Sequence, residues 1–178
     1  MSLTPEADGV FRERRERTVE APASTAWSCV ADLGGEPGWY AVSWLWQVRG
    51  VLDRAIGGPG NRGRPTRELC PGDPVDGWRV EALDPGRSLT LVSEQRLPGT
   101  ARLTHEVESL GTGPDSPRSR LVQRLEWHPD GRPGRVFWRV ELPMHKAVMS
   151  AMVTGMAREA ERRALGGRPG GAGGRMAP

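Results

Sequence analysis

The chain has 178 residues, with 25 Lys and Arg against 22 Asp and Glu and a formal net charge of +3. Its mean hydropathy is −0.53, and no apolar run approaches the roughly 20 residues that a membrane-spanning helix needs. Lys146 is the sole lysine, and the arginines alternate with acids (RERRER over 12–17), so the one-signed stripe of a nucleic-acid binder is missing.

Cys29 and Cys70 fit no metal or redox spacing and suggest no disulfide framework. No charged-then-apolar leader opens the chain. The expectation is a soluble, cytoplasmic protein with no nucleic-acid partner and no membrane insertion.

Residues 1–9 are polar and read as a flexible N-terminus. The alternation over 10–19 predicts a strand whose charges suit an edge position. A short helix follows over 23–33, with Ala26, Trp27, Val30 and Ala31 on one face, and Gly34, Gly35, Pro37 and Gly38 break it. Ser43 is a candidate N-cap for a second helix over 44–56, in which Arg49 and Asp53 form an i,i+4 pair.

Gly58, Gly60 and Gly63 match G-x-G-x-x-G in letters only. A helix precedes them where a strand is required, Pro59 lies inside, and no helix follows. The segment reads as a flexible loop.

From Thr66 the pattern changes to period two. Strands are expected over 75–83, 88–97, 101–110 and 120–128, with turns at Asp84-Pro85-Gly86 and Pro98-Gly99 and a longer loop over 111–119. One face carries Trp78, Val80 and Ala82; Leu89, Leu91, Ser93 and Gln95; Leu103, His105 and Val107; and Leu121, Gln123, Leu125 and Trp127. Arg and Glu fill the other, as in an antiparallel meander with one wet and one covered face.

Residues 134–142 fit either a strand or a helix, and a helical approach kinked at Pro143 is the favoured reading. A long amphipathic helix over 143–165 then presents an arc of Met144, Val148, Ala151, Met152 and Gly155, widened by Met149, Met156 and Ala160, with His145 inside it. Residues 166–178 form a Gly-rich tail expected to be disordered. The organisation is thus one domain over 10–165 between two loose ends.

One strand, two short helices, an antiparallel run and one long C-terminal helix make an order that resembles the helix-grip fold of the START-like, Bet v 1-like (SRPBCC) superfamily. The polyketide cyclase/dehydrase group belongs to it. The segments 44–60 (WLWQVRGVLDRAIGGPG), 72–87 (GDPVDGWRVEALDPGR), 97–107 (LPGTARLTHEV) and 142–145 (LPMH) resemble those of the bacterial DUF2867-type domain, over about residues 10–163. That resemblance implies an α+β fold in which a curved antiparallel sheet wraps a long C-terminal helix and encloses a cavity. Domains of this type are sometimes fused to a reductase-like domain, so a homodimer or a reductase-like partner protein is a possible association.

Sheet and helix together then direct Ser93, Gln95, His105, Gln123 and His145 inward, among Trp78, Trp127, Met149, Met152 and Met156. Trp46 stands beside them, as lid or as packing. A mainly apolar cavity with a few polar groups suits a small, largely apolar ligand. His105 and His145 are the titratable groups placed inside, and a His pair could enolise a ketone and assist loss of water. Two readings stay open: a cofactor-independent cyclase, aromatase or dehydratase of secondary metabolism acting on an aromatic or polyketide-like metabolite, and a non-catalytic carrier or sensor. No cofactor and no metal are expected, since the three His are far apart in sequence.

Overall fold

The computed structural model describes residues 6–35, 38–41, 43–111 and 116–166, and for 43–45 the backbone alone. Six strands form one antiparallel sheet in the order β1-β6-β5-β4-β3-β2. They are β1 (Phe11–Val19), β2 (Pro74–Val75), β3 (Trp78–Asp84), β4 (Ser88–Ser93), β5 (Gly99–Ser109) and β6 (Ser119–Pro129). Helices α1 (Ala23–Ala31) and α2 (Ser43–Ala55) follow β1, and α3 (Gly131–Gly166) closes the chain.

Period-two patterning explains the sheet. Leu103, His105 and Val107 on β5, and Leu121, Gln123, Leu125 and Trp127 on β6, are buried on the inner face as expected. On the outer face Arg12 and Arg102 both reach Glu126, Arg102 also pairs with Glu81, and Arg124 pairs with Glu106. These pairs are largely exposed and contribute little each, but they keep that face wet. β1 is the edge strand that its charges suggested.

One inward assignment fails. The register between β3 and β4 shifts between Val80 and Ala82, and this bulge turns Ala82 outward and Leu83 inward, opposite Leu89. The strand expected over 88–97 also ends early, at Ser93.

Helix α3 is longer than the reading of residues 143–165, because 131–142 belong to it and Pro143 lies in its interior. Its buried stripe is Trp138, Leu142, His145, Met149, Met152, Met156 and Ala160, in alternating steps of mostly three and four. Met144 and Ala151, placed at the centre of the apolar arc, are exposed instead. Gly155 has a specific reason to be glycine: a Cβ there would collide with the carbonyl oxygen of Tyr40. Arg15 donates to Ser150 and Arg163 pairs with Asp32, tying α3 to β1 and to α1.

The glycine loop after α2 is held in place. Asp53 is buried and accepts from the backbone N–H groups of Gly60 (2.9 Å) and Arg96 (2.7 Å), so it does not pair with Arg49. Asn61 donates to the carbonyl of Trp46, and Arg64 to those of Ala31 and Leu33. Residues 6–9 are similarly fixed, with Arg12 on Glu6 and Asp8. The expectations for residues 1–5 and 167–178, and for Ser43 as a cap, lie outside the described residues and side chains.

Candidate functional site

A cavity of about 190 Å³ lies between the inner sheet face, α2 and the first half of α3. Trp46, Trp78, Ser93, Gln95, Trp127, His145 and Met149 line it, all of them expected from sequence. His105, Gln123, Met152 and Met156 are not part of its wall.

The reason is position along the grip. The strand pairs Trp78↔Ser93 and Ala101↔Trp127 floor the cavity, whereas His105↔Gln123 lies four residues further along β5, about 13 Å at 3.3 Å per residue. On α3, likewise, His145 and Met149 reach the cavity, and Met152 and Met156 pack beyond it. The hollow occupies one end of the fold and solid core the other.

His105 belongs to that core. It is fully buried, its Nε2 lies 3.2 Å from the side-chain nitrogen of Gln123, and its Nδ1 has no partner among the described residues. Gln123 donates there, and burial lowers the imidazole from 6.5 to about 4. His105 is therefore neutral near neutral pH.

His145 is differently placed. In the cavity wall, its Nε2 lies 3.1 Å from Oε2 of Glu13, itself a buried residue of β1. The other carboxylate oxygen is 2.5 Å from Nη2 of Arg15. Burial pushes the Glu13 carboxyl up, but the hydrogen bond from His145 and the Arg15 guanidinium outweigh it and hold the group below its ordinary value. The indole of Trp138 packs on the imidazole at 4.9 Å between ring centroids.

The residues of the site missed in the sequence reading include Glu13, Arg49, Glu141 and Trp138. Glu13 shares its parity with Phe11 and Val19, both buried on the same strand, and that alternation was a usable signal. Arg49 donates to Gln95 (2.8 Å) and to Glu141, bridging α2 to α3 at the cavity mouth. Neither partner has a sequence signal, since both contacts join distant parts of the chain. Outside them a groove of about 560 Å³ continues along α2 and α3, and the flanking Val48, Leu52, Val140 and Met144 are exposed.

The profile of the family described as a protein of unknown function (DUF2867) matches residues 7–152. The chain belongs to the DUF2867 family. No curated protein matches it in sequence. Among solved structures, this DUF2867 protein is similar to the Zhui aromatase/cyclase of a Streptomyces species, with 21% identity, a TM-score of 0.53, and coverage of 86% of this chain and 95% of that one. A protein from Thermobifida fusca gives a TM-score of 0.54 at 18% identity, covering 85% and 93%. Norcoclaurine synthase from Thalictrum flavum, solved with dopamine and hydroxybenzaldehyde, gives 0.50 at 13% identity, covering 90% and 89%. The DUF2867 protein thus has the helix-grip fold. Among its described residues no helix is long and apolar enough to cross a membrane.

Proposed function

We propose that this protein binds a small, largely apolar, aromatic or polyketide-like metabolite in the cavity and acts on it as a cofactor-independent cyclase or dehydratase, with His145 as the acid–base group. The observation that carries this is the His145–Glu13 pair: an imidazole in the wall of an apolar cavity, backed by a buried carboxylate. When Nε2–H donates to Glu13, the basic lone pair is left on Nδ1, and the carboxylate stabilises the imidazolium that forms when a proton is taken.

The chemistry follows from that polarity. His145 removes a proton α to a ligand carbonyl, and the enolate carbon attacks a second carbonyl of the same molecule. The imidazolium returns the proton to the alkoxide so formed. In a dehydration, His145 takes a further α-proton and delivers it to the departing hydroxyl, which leaves as water. Gln95, whose oxygen accepts from Arg49, keeps its amide N–H groups for the enolate oxygen. His105 takes no part in this scheme, because it lies outside the cavity wall.

Size supports a compact ligand. An engineered cavity of about 150 Å³ holds a single benzene, and sites for drug-sized ligands span roughly 300–1,000 Å³. About 190 Å³ suits one or two fused rings, with any remainder in the outer groove. The fold shared with an aromatase/cyclase and with norcoclaurine synthase is compatible with this chemistry.

The test is native mass spectrometry of the protein purified from its own host, followed by incubation of the co-purified ligand with wild type and His145→Ala. Turnover by the wild type that falls at least a hundredfold in the variant is the expected result. Equal turnover by both would overturn the assignment of His145, and tight binding with no turnover by either would make the protein a carrier.

A further inference from the structure

The hydrogen-bonding groups of the cavity wall are unevenly spent. Two indole N–H groups in the described core have acceptors: Trp39 donates to Asp76 (2.7 Å) and Trp127 to the carbonyl of Gly134 (3.3 Å). Trp46, Trp78 and Trp138 do not. Their indole nitrogens are buried with no partner among the described residues, and all three rings line the cavity. Leaving a buried donor unsatisfied costs on the order of 1–3 kcal/mol, so three beside one hollow call for an explanation.

The acceptor side chains of the same wall are already engaged. Gln95 and Glu141 accept from Arg49, Ser93 accepts from the backbone N–H of Ala101 (2.8 Å), and His145 is paired with Glu13. Donors outnumber open acceptors, since three indole N–H groups stand against the Nδ1 lone pair of His145. A ligand that completes this wall must bring acceptors.

We propose that the cavity selects planar ring systems carrying several carbonyl or ether oxygens and few hydroxyl or amino groups, read by the indole N–H groups of Trp46, Trp78 and Trp138. The proposal rests on the ligand-binding reading of the cavity above and adds the polarity of the ligand to it. The indole nitrogens are themselves buried, and because the χ2 torsion of an indole is broad, rotation of the ring is the movement that brings each N–H to an oxygen in the hollow. The same polarity fits the chemistry of His145, which needs carbonyls to work on, and it disfavours catechols and amines of equal size.

Three probes of matched size separate the possibilities: chromone, with two acceptor oxygens and no donor; naphthalene, with neither; and 1,5-dihydroxynaphthalene, with two donors. Calorimetry on the full chain is expected to show chromone binding about tenfold tighter than naphthalene, with the diol weaker than chromone. In proton–nitrogen correlation spectra the indole signals of Trp46, Trp78 and Trp138 should move downfield with chromone, while those of Trp39 and Trp127 hold. Trp78→Phe should lower the affinity for chromone several-fold more than that for naphthalene, since both ligands lose the same ring contact and only chromone loses the N–H; Trp46→Phe, at a half-buried position, serves if the first variant does not fold.

Equal affinity for chromone and naphthalene, or unmoved indole signals, would overturn the proposal while the cavity reading stands. Failure of all three probes to bind would overturn both. The expected pattern with no effect of His145→Ala on turnover would keep this inference and remove the acid–base assignment.

Discussion

Replacing Glu13 by Gln tests the buried pair on which the proposed chemistry depends. The carboxylate accepts a hydrogen bond from His145 and forms an ion pair with Arg15, and bonds to a charged group are worth about 1.5–3 kcal/mol each. Gln keeps one acceptor oxygen but turns an NH2 group towards the other donor, so one bond is lost. Arg15 is partly open to water, which offsets some of the loss. The expected cost is about 2 kcal/mol at pH 7, a fall in Tm of roughly 4–8 °C for a chain of this size.

The pH dependence gives the sharper criterion. The Glu13 carboxyl in the folded protein lies below its ordinary 4.5. Its contribution is therefore complete above pH 4.5 and disappears as the pH falls through the lower folded value. Urea unfolding of both proteins at pH 7, 5, 4 and 3 should give a difference that is constant down to pH 5 and shrinks below it. A variant as stable as wild type at pH 7, or a difference that persists undiminished at pH 3, would refute the pairing of Glu13 with His145 and Arg15.

Burial holds His105 at about 4 against 6.5, so between those values the unfolded chain binds a proton that the folded chain does not, and stability falls by about 3 kcal/mol from pH 7 to pH 4. His105→Leu should remove that part of the acid-side slope in urea unfolding, whatever its offset at pH 7; an unchanged slope would contradict the buried neutral imidazole. Gly155→Ala should destabilise by about 1–3 kcal/mol through the clash with Tyr40, although alanine is the better helix former; a raised urea midpoint would show that the helix and the loop do not meet there. Asp53→Ala leaves the N–H groups of Gly60 and Arg96 without their acceptor and should cost about 3 kcal/mol, with amide exchange at both positions faster than in wild type; unaltered exchange would place the loop's restraint elsewhere.

How far the site could be read from the sequence depended on what each pattern measures. Alternation along β5 and β6 reports which face a side chain takes, and it put His105, Gln123, Leu125 and Trp127 on the inner face correctly. It does not report position along the strand. Only the register of the sheet separates Ala101 and Trp127, which touch the cavity, from His105 and Gln123, which lie in packed core. Ala82 was misplaced because a bulge changes parity at a single residue, and nothing in WRVEALD marks it. Glu13 was passed over because charge was allowed to outweigh parity on an edge strand. Arg49 and Glu141 were beyond reach, since their meeting depends on how α2 lies across α3.

That meeting divides the ligand space. Arg49, Gln95 and Glu141 border both the inner cavity and the outer groove, so they stand where one passes into the other. Glu141 precedes His145 by four residues on α3, a rise of about 6 Å, comparable to the span of two fused six-membered rings. A carbonyl within reach of His145 is then at most a ring or two from the ion pair. Whatever a longer ligand carries beyond its second ring must lie outside the bridge, along the exposed aliphatic side chains of α2 and α3. In the proposed chemistry the His145–Glu13 pair acts on the inner part alone, which puts the reacting centre of a long substrate at the end that enters first.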